Sequence, residues 1–348
     1  MDIHNVDDYN SPPRIHEFTD VLFRTGISTF HNFITPICVH DGKILSVSNK
    51  IYSFLPKKMG HNIDQSYMNE LQITKNEINA TNVEVISEPI FYFLDYEAVN
   101  GTGHSYDIMC YLLYHYKKNN LNCNLLVMNS DNVYYNKTLD LLKTWTGLTF
   151  TYVDFNKNYL IKNFKCIQTY QNILFPEVKE FLNENIIKPI ISKYESLNFP
   201  FYKNICKVKY NNKDQINKGS APSDAFKKFL NDYHIKDIED CSEEYKIYLL
   251  NKADNVIVSW GSTYYINCNY YMLNNDKYIC VLFYKHYAPE RQFLGSDGNT
   301  IQQFMHDKYS GGIHNNVFST FISRGCIIDD VDNLDDIIHK VKDKLQLD

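Results

Sequence analysis

Apolar and polar positions change rhythm twice along this chain. Over residues 1–85 the apolar runs are short, as in 33–39 and 44–47, and sit among turn residues. Asp41-Gly42 between those two runs is a hairpin signal, because glycine tolerates the positive φ of a tight turn. A small β-rich lead-in, packed on the domain that follows, is expected here.

From residue 86 strand patterns alternate with helical ones. The run 89–96 (PIFYFLDY) predicts a buried strand. In 103–116 (GHSYDIMCYLLYHY), Ile108, Leu112 and Tyr116 recur at helical spacing. Residues 124–128 predict a second strand and 134–145 a second helix, with Gly147 as its stop signal. Strands follow at 149–153 and 159–170. The segment 176–197 reads as a long helix with proline in its first turn. Pro189 is expected to kink it, since proline lacks the N–H and crowds the preceding turn. Such a helix suits a crossover between domains.

A second alternation begins near residue 204. Strands are predicted at 205–210, 237–239, 255–260, 277–284 and 326–328. Residues 211–220 read as a polar loop, and 222–233 as a helix capped by Ser220 or Ser223. A helix over 243–252 is capped by Ser242, with acids in its first turn, where the helix dipole favours them. An amphipathic helix over 334–347 ends the chain. Strands separated by helices imply parallel sheets with right-handed crossovers. The expected fold class is therefore α/β, with the lead-in (1–85), a first domain (86–198) and a second (199–348).

Composition narrows the function classes. A length of 348 residues fits two domains of roughly 150 each. The abundance of Asn, Ile, Lys and Tyr is that of an AT-rich genome. A net charge of −6, with its basic pairs scattered, argues against a nucleic-acid surface. The nine cysteines show no CxxC pair and no zinc spacing, so reduced, buried thiols and no metal are expected. The first residues lack the basic and apolar regions of a signal peptide, and no run is long enough to span a membrane. A cytoplasmic protein is the expectation.

Two predicted strand ends carry candidate chemistry, since ligands of open parallel sheets bind beyond the carboxyl ends of the strands. The first is VNGTGHSYD (99–107). His104 and Asp107 stand three apart at a helix start and can share one face. A histidine beside a carboxylate makes a general-base pair. A helix-start histidine that only caps or solvates is the alternative. The second is VSWGSTYYIN (258–267). Gly261 permits close approach of a ligand to the backbone, and Ser262 and Thr263 bring hydroxyls to a helix start, a natural phosphate site. An ordinary Ser/Thr cap is the alternative. Lys207 and Lys209 alternate on the strand ICKVKY, with Lys213 and Lys218 beyond, and one of them could neutralise a diphosphate. Asp329, Asp330 and Asp332 read as loop and cap residues before the last helix. His286, Arg291 and His314 fall in late loops. No GxGxxG, P-loop, GxSxG or HExxH motif is present.

Three blocks of this chain together resemble the family-61 glycosyltransferases, a group with plant xylosyltransferases, animal O-linked N-acetylglucosaminyltransferases and capsular-polysaccharide enzymes. They are Asn100-Gly-Thr-Gly-His104 after a strand, the basic strand, loop and helix of 207–229, and SEEYKIYLLNKADNVIVSWGSTYYIN (242–267). In the last block Trp260 stands where the family has histidine, and Asn267 comes one residue late. Asp107 follows His104 by three residues, where the family uses four, and lysines replace its arginines.

The resemblance implies two facing Rossmann-like domains of GT-B type and inverting transfer of a sugar from a nucleotide-sugar donor to a glycan or protein hydroxyl. It implies His104 as base or base partner with Asp107 as its orienter, and Gly261, Ser262 and Thr263 as the diphosphate cradle. Lys207 and Lys209 would neutralise the diphosphate. Trp260 or Tyr264 would pack on the donor, with Asn267 closing the block. A nucleotide-sugar donor and a glycan or glycoprotein acceptor are the implied partners, with no metal or other cofactor. Two other readings remain open: a pyruvyl- or related group transferase on the same plan, and a non-catalytic glycan-binding relative.

Overall fold

A computed structural model describes residues 3–8, 14–27, 34–48, 78, 82–93, 102–129, 133–167, 176–208, 224–259, 265–273, 277–284, 325–331, 338 and 341–342. The fold is α/β. The chain divides into two compact units, Met1–Asn172 and Ile173–Asp348, each with its own sheet.

The first unit holds an eight-stranded sheet in the order β1-β4-β3-β2-β8-β5-β6-β7. Its strands are β1 (Ile3–Asp8), β2 (His16–Ile27), β3 (Ile34–His40), β4 (Lys43–Ser48), β5 (Glu84–Phe93), β6 (Asn124–Met128), β7 (Phe150–Val153) and β8 (Asn158–Ile167). Helix α1 (Thr102–Lys118) connects β5 to β6, and α2 (Val133–Thr146) connects β6 to β7. Gly147 ends α2 at φ 68°, a left-handed stop. Strands β5, β6 and β7 are parallel, and β8 lies parallel on the other side of β5.

The lead-in strands are hydrogen-bonded into this sheet through β2, which runs antiparallel to both β8 and β3. The β3–β4 hairpin turns at Asp41 and Gly42, with φ of 49° and 71°. Both central residues are left-handed, as a primed turn requires. The first sheet is therefore mixed, not the parallel sheet that strand–helix alternation predicts. The reason is the lead-in: β2 runs antiparallel to β8 and to β3, and β3 to β4, while β5, β6, β7 and β8 stay parallel.

One face of the β2–β8 ribbon meets water. Lys162 pairs with Asp20 at 2.5 Å, and Lys165 pairs with Glu17 directly opposite. Strand β5 bulges at Ser87 and Glu88, where the pairing with β8 slips by one residue. Pro89, which has no N–H for a ladder bond, follows at that irregularity.

The second unit holds a five-stranded sheet in the order β10-β9-β11-β12-β13, parallel throughout. Its strands are β9 (Asn204–Lys207), β10 (Ile235–Asp237), β11 (Asn255–Ser259), β12 (Tyr278–Tyr284) and β13 (Gly325–Val331). Asp329 and Asp330 belong to β13, so they are strand residues and not the expected loop and cap; Asp332 lies outside the described residues. Likewise Glu239 stands beyond the short strand β10 and not within it.

Helix α5 (Asp224–Asp232) follows β9 and α6 (Glu243–Lys252) follows β10. The cap of α5 expected at Ser220 or Ser223 lies outside the described residues. Ser242 caps α6 as expected, accepting a hydrogen bond from the Tyr245 N–H at 3.3 Å. Such a cap contributes about 1 kcal/mol.

Phe226, Phe229 and Leu230 of α5 pack with Cys206, Val208, Ile257, Cys280, Leu282 and Val341. Ile205, Val256, Val258, Ile279 and Val281 alternate with these sheet residues and are equally buried. Both faces of β9, β11 and β12 are therefore covered. A right-handed crossover places α6 opposite α5, because the chain leaves β9 one way and returns past it the other.

The long helical segment belongs to this second unit. It consists of α3 (Pro176–Leu182), a π turn (Asn183–Ile187) and α4 (Lys188–Ser196). The disturbance expected at Pro189 is this π turn, in which the Lys188 N–H reaches back to the Asn183 carbonyl. Lys179 donates to the carbonyls of Tyr270 and Met272 at 3.0 and 2.7 Å. Tyr194 stacks on Tyr245 and Tyr248 of α6, with ring centroids 5.5 and 5.4 Å apart. Among the described residues no helix is long and apolar enough to cross a membrane.

Candidate functional site

Strand order locates where a ligand would bind. In sequence terms the second sheet runs 2-1-3-4-5, a doubly wound order. The chain leaves β9 toward β10 on one side, then crosses to β11 on the other. The connections diverge at the carboxyl ends of β9 and β11, the place where doubly wound sheets bind their ligands. Lys207 ends β9 and stands level with Val258, one residue before the end of β11 at Ser259. Lys207 and the strand that leads into Trp260 are thus neighbours, although 51 positions separate Lys207 from Val258 in the chain.

Lys209, Trp260, Gly261, Ser262, Thr263 and Tyr264 follow these strand ends and lie outside the described residues, as do Lys213, Lys218, His286, Arg291 and His314. Asn267 is buried in a π-helical segment, Tyr265–Tyr271, that begins after them. Its backbone is anchored from α6: Asn251 donates to the Tyr271 carbonyl at 2.7 Å and accepts from the Leu273 N–H at 2.8 Å.

Packing explains the direction of Lys207. Cys206 and Val208 face the α5 layer, so Lys207, between them, faces the other side. Its side chain is only 12% exposed and is ion-paired with Glu239, itself 34% exposed. Glu239 is held in turn: its N–H donates to Asp237 Oδ1 at 2.9 Å, and the preceding Ile238 N–H donates to the Cys206 carbonyl at 3.0 Å. Sequence patterns missed Glu239 and Asp237 as site residues. The available signal was two acids at the end of a strand that lies beside a lysine-bearing one.

The first unit has a comparable divergence. The chain leaves β5 toward β6, while β8 flanks β5 on the other side. The segment after β5 carries Asn100 to His104, and α1 begins at Thr102. His104 and Asp107 therefore lie in the first two turns of α1; their side chains lie outside the described residues. At the neighbouring carboxyl ends, Asn129 donates to Asp154 at 2.6 Å and Lys157 donates to it at 2.5 Å. These bonds hold the Asp154 carboxyl below its usual range, with the lysine bond the larger cause. A carboxylate so satisfied makes a poor base.

Four buried thiols are poor nucleophiles. Burial pushes Cys38, Cys206 and Cys268 well above the ordinary thiol range, and Cys123 to about 11. Nucleophilic cysteines need the opposite shift. Among the described residues no group of three His, Cys, Asp or Glu is placed to hold a metal ion. Comparison of the sequence with protein-family models finds no match, and comparison with curated proteins finds none either.

Proposed function

We propose that this chain is an inverting glycosyltransferase that moves a sugar from a nucleotide-sugar donor to a glycan or protein hydroxyl. The second unit would be the donor domain and the first the acceptor domain of a GT-B-type enzyme. One observation supports this most: the β9–β11 strand ends bring Lys207 beside the segment that continues into Trp260, Gly261, Ser262 and Thr263. Those are the residues whose chemistry suits a diphosphate.

On this reading the reaction is a direct displacement at the anomeric carbon. His104, oriented by Asp107, takes the proton of the acceptor hydroxyl as its oxygen bonds to that carbon. The bond to the donor diphosphate breaks, and Lys207, Lys209 and the backbone N–H groups of Gly261 to Thr263 take up the charge released. Trp260 or Tyr264 packs on the donor, and Asn267 lies in the π-helical segment that follows.

Thermal-shift screening against nucleotide sugars and phosphoenolpyruvate tests the proposal. Saturating donor at a hundred times its Kd would stabilise the protein by about 2.7 kcal/mol. Stabilisation by a uridine or guanosine diphosphate sugar, followed by transfer that His104→Ala abolishes while donor binding persists, is the expected result. Stabilisation by phosphoenolpyruvate alone would instead identify a pyruvyl-type group transferase. A protein silent toward every donor would be a binding relative and not a transferase.

A further inference from the structure

We propose that Glu239 is a counter-ion latch on Lys207, and that an anionic ligand binds the β9–β11 strand ends by displacing it. The proposal rests on reading those strand ends as a diphosphate site.

Lys207 has little freedom of its own. Its stem runs from β9 between Cys206 and Val208, both fully buried, so only the end of the side chain can re-aim. Glu239 differs. It is a third exposed and stands past the end of β10 on a short turn. Its backbone is held by the bond to Asp237 Oδ1 and by that of the preceding Ile238 to β9, while a third of its side chain is open to water. When a second anion competes for the ammonium, Glu239 is the partner that can leave.

Charge sets the direction of the effect. Cys206 feels Asp237 and Lys207, and Lys207 in turn holds Glu239, so two carboxylates stand about this ammonium. A diphosphate arriving there meets repulsion unless a carboxylate moves away. A partly exposed ion pair contributes up to about 1 kcal/mol, and a ligand that takes Lys207 must break this one, a factor of about five in affinity. Neutralising Glu239 should therefore tighten an anion by about fivefold. The latch would keep Lys207 paired while the site is empty and release it only to a ligand of higher charge than a carboxylate. Inorganic phosphate should then compete less well than pyrophosphate.

The test is calorimetric titration of the full chain with inorganic pyrophosphate, and with the nucleotide diphosphate of any sugar that binds. Glu239→Gln keeps the shape and removes the charge. It should tighten pyrophosphate about fivefold, and Lys207→Met should weaken it at least tenfold. In a Lys207→Met background the gain from Glu239→Gln should vanish. Lys207→Arg controls for folding, since it keeps the cation, and should retain the gain. Unchanged affinity in Glu239→Gln would overturn the latch, as would a gain that survives Lys207→Met, which simple repulsion predicts. If nucleotide sugars bind and the Gln variant changes nothing, glycosyl transfer stands and the latch falls. If pyrophosphate tightens as expected while no nucleotide sugar binds, the latch stands and glycosyl transfer falls.

Discussion

The two sheets meet water in opposite ways. In the second unit both faces of β9, β11 and β12 are buried, and the strands read as continuous apolar runs such as VIV and VLF. This is the mark of a parallel sheet covered by helices on both sides. In the first unit the β2–β8 ribbon has one wet face, bound across strands by Lys162–Asp20 and Lys165–Glu17. Farther out, Val85 and Tyr152 are more than half exposed. Stability in the second unit should therefore reside in apolar packing. In the first it is shared with polar surface that is nearly neutral energetically.

The sharpest way to break this comparison is a cavity. Phe226→Ala removes a fully buried ring from the cluster of α5, β9, β11 and β12. It should cost about 3–5 kcal/mol, read as a lowered denaturant midpoint for the second unit. A loss below about 1 kcal/mol would show that this face is loosely packed.

Acid should single out the first unit. His115 on α1 is buried against the Tyr111 and Tyr114 rings, and its pKa falls from 6.5 to about 4, through burial first and Lys118 second. The folded state thus holds the histidine neutral, while the unfolded chain takes up a proton below pH 6.5. This contribution is complete above pH 6.5 and is lost as pH falls toward 4. The loss is at most about 3 kcal/mol by linkage. Denaturant melts at pH 7 and pH 4.5 should reveal it, and His115→Gln should flatten that dependence. An equal slope in the variant would assign the acid lability elsewhere.

The smallest effect should come from the wet face. Lys165→Ala breaks the pair with Glu17, whose side chain is largely exposed. A loss under about 1 kcal/mol is expected, and it should shrink further in salt. A loss approaching that of Phe226→Ala would erase the distinction between the two sheets.

The sequence made the local features legible. The run NLLVM between polar neighbours is β6 residue for residue, Gly147 stops α2, and Ser242 caps α6. Strand β2 was hidden because its wet face carries Glu17 and Asp20, and because its partner β8 lies about 140 positions away along the chain. Local periodicity has no term for such pairing. The π segments were also hidden, since their residues follow ordinary helical composition. The site divides in the same way. The end of β11 was visible as a strand terminus, but Lys207 was read inside a strand over 205–210, whereas β9 ends on it. Their adjacency, and the hold of Glu239 on Lys207, depend on strand order, which no window of sequence contains.

The π turn at Asn183–Ile187 acts on the helix around it as a leap day acts on a calendar. Val178, Leu182, Ile186, Ile190 and Tyr194 are all buried, spaced every fourth residue. On an ideal helix that spacing drifts by about 40° per step, so Tyr194 would end about 160° away from Val178. A π turn takes up roughly one extra residue and returns about 100° of that drift. The four-residue rhythm then stays on one side of the rod. Deleting a single residue from the turn would leave a regular helix whose second half keeps its face, whereas winding the existing residues into unbroken α-helix would carry Tyr194 off its stack on Tyr245 and Tyr248. At this point irregularity keeps the chain in phase.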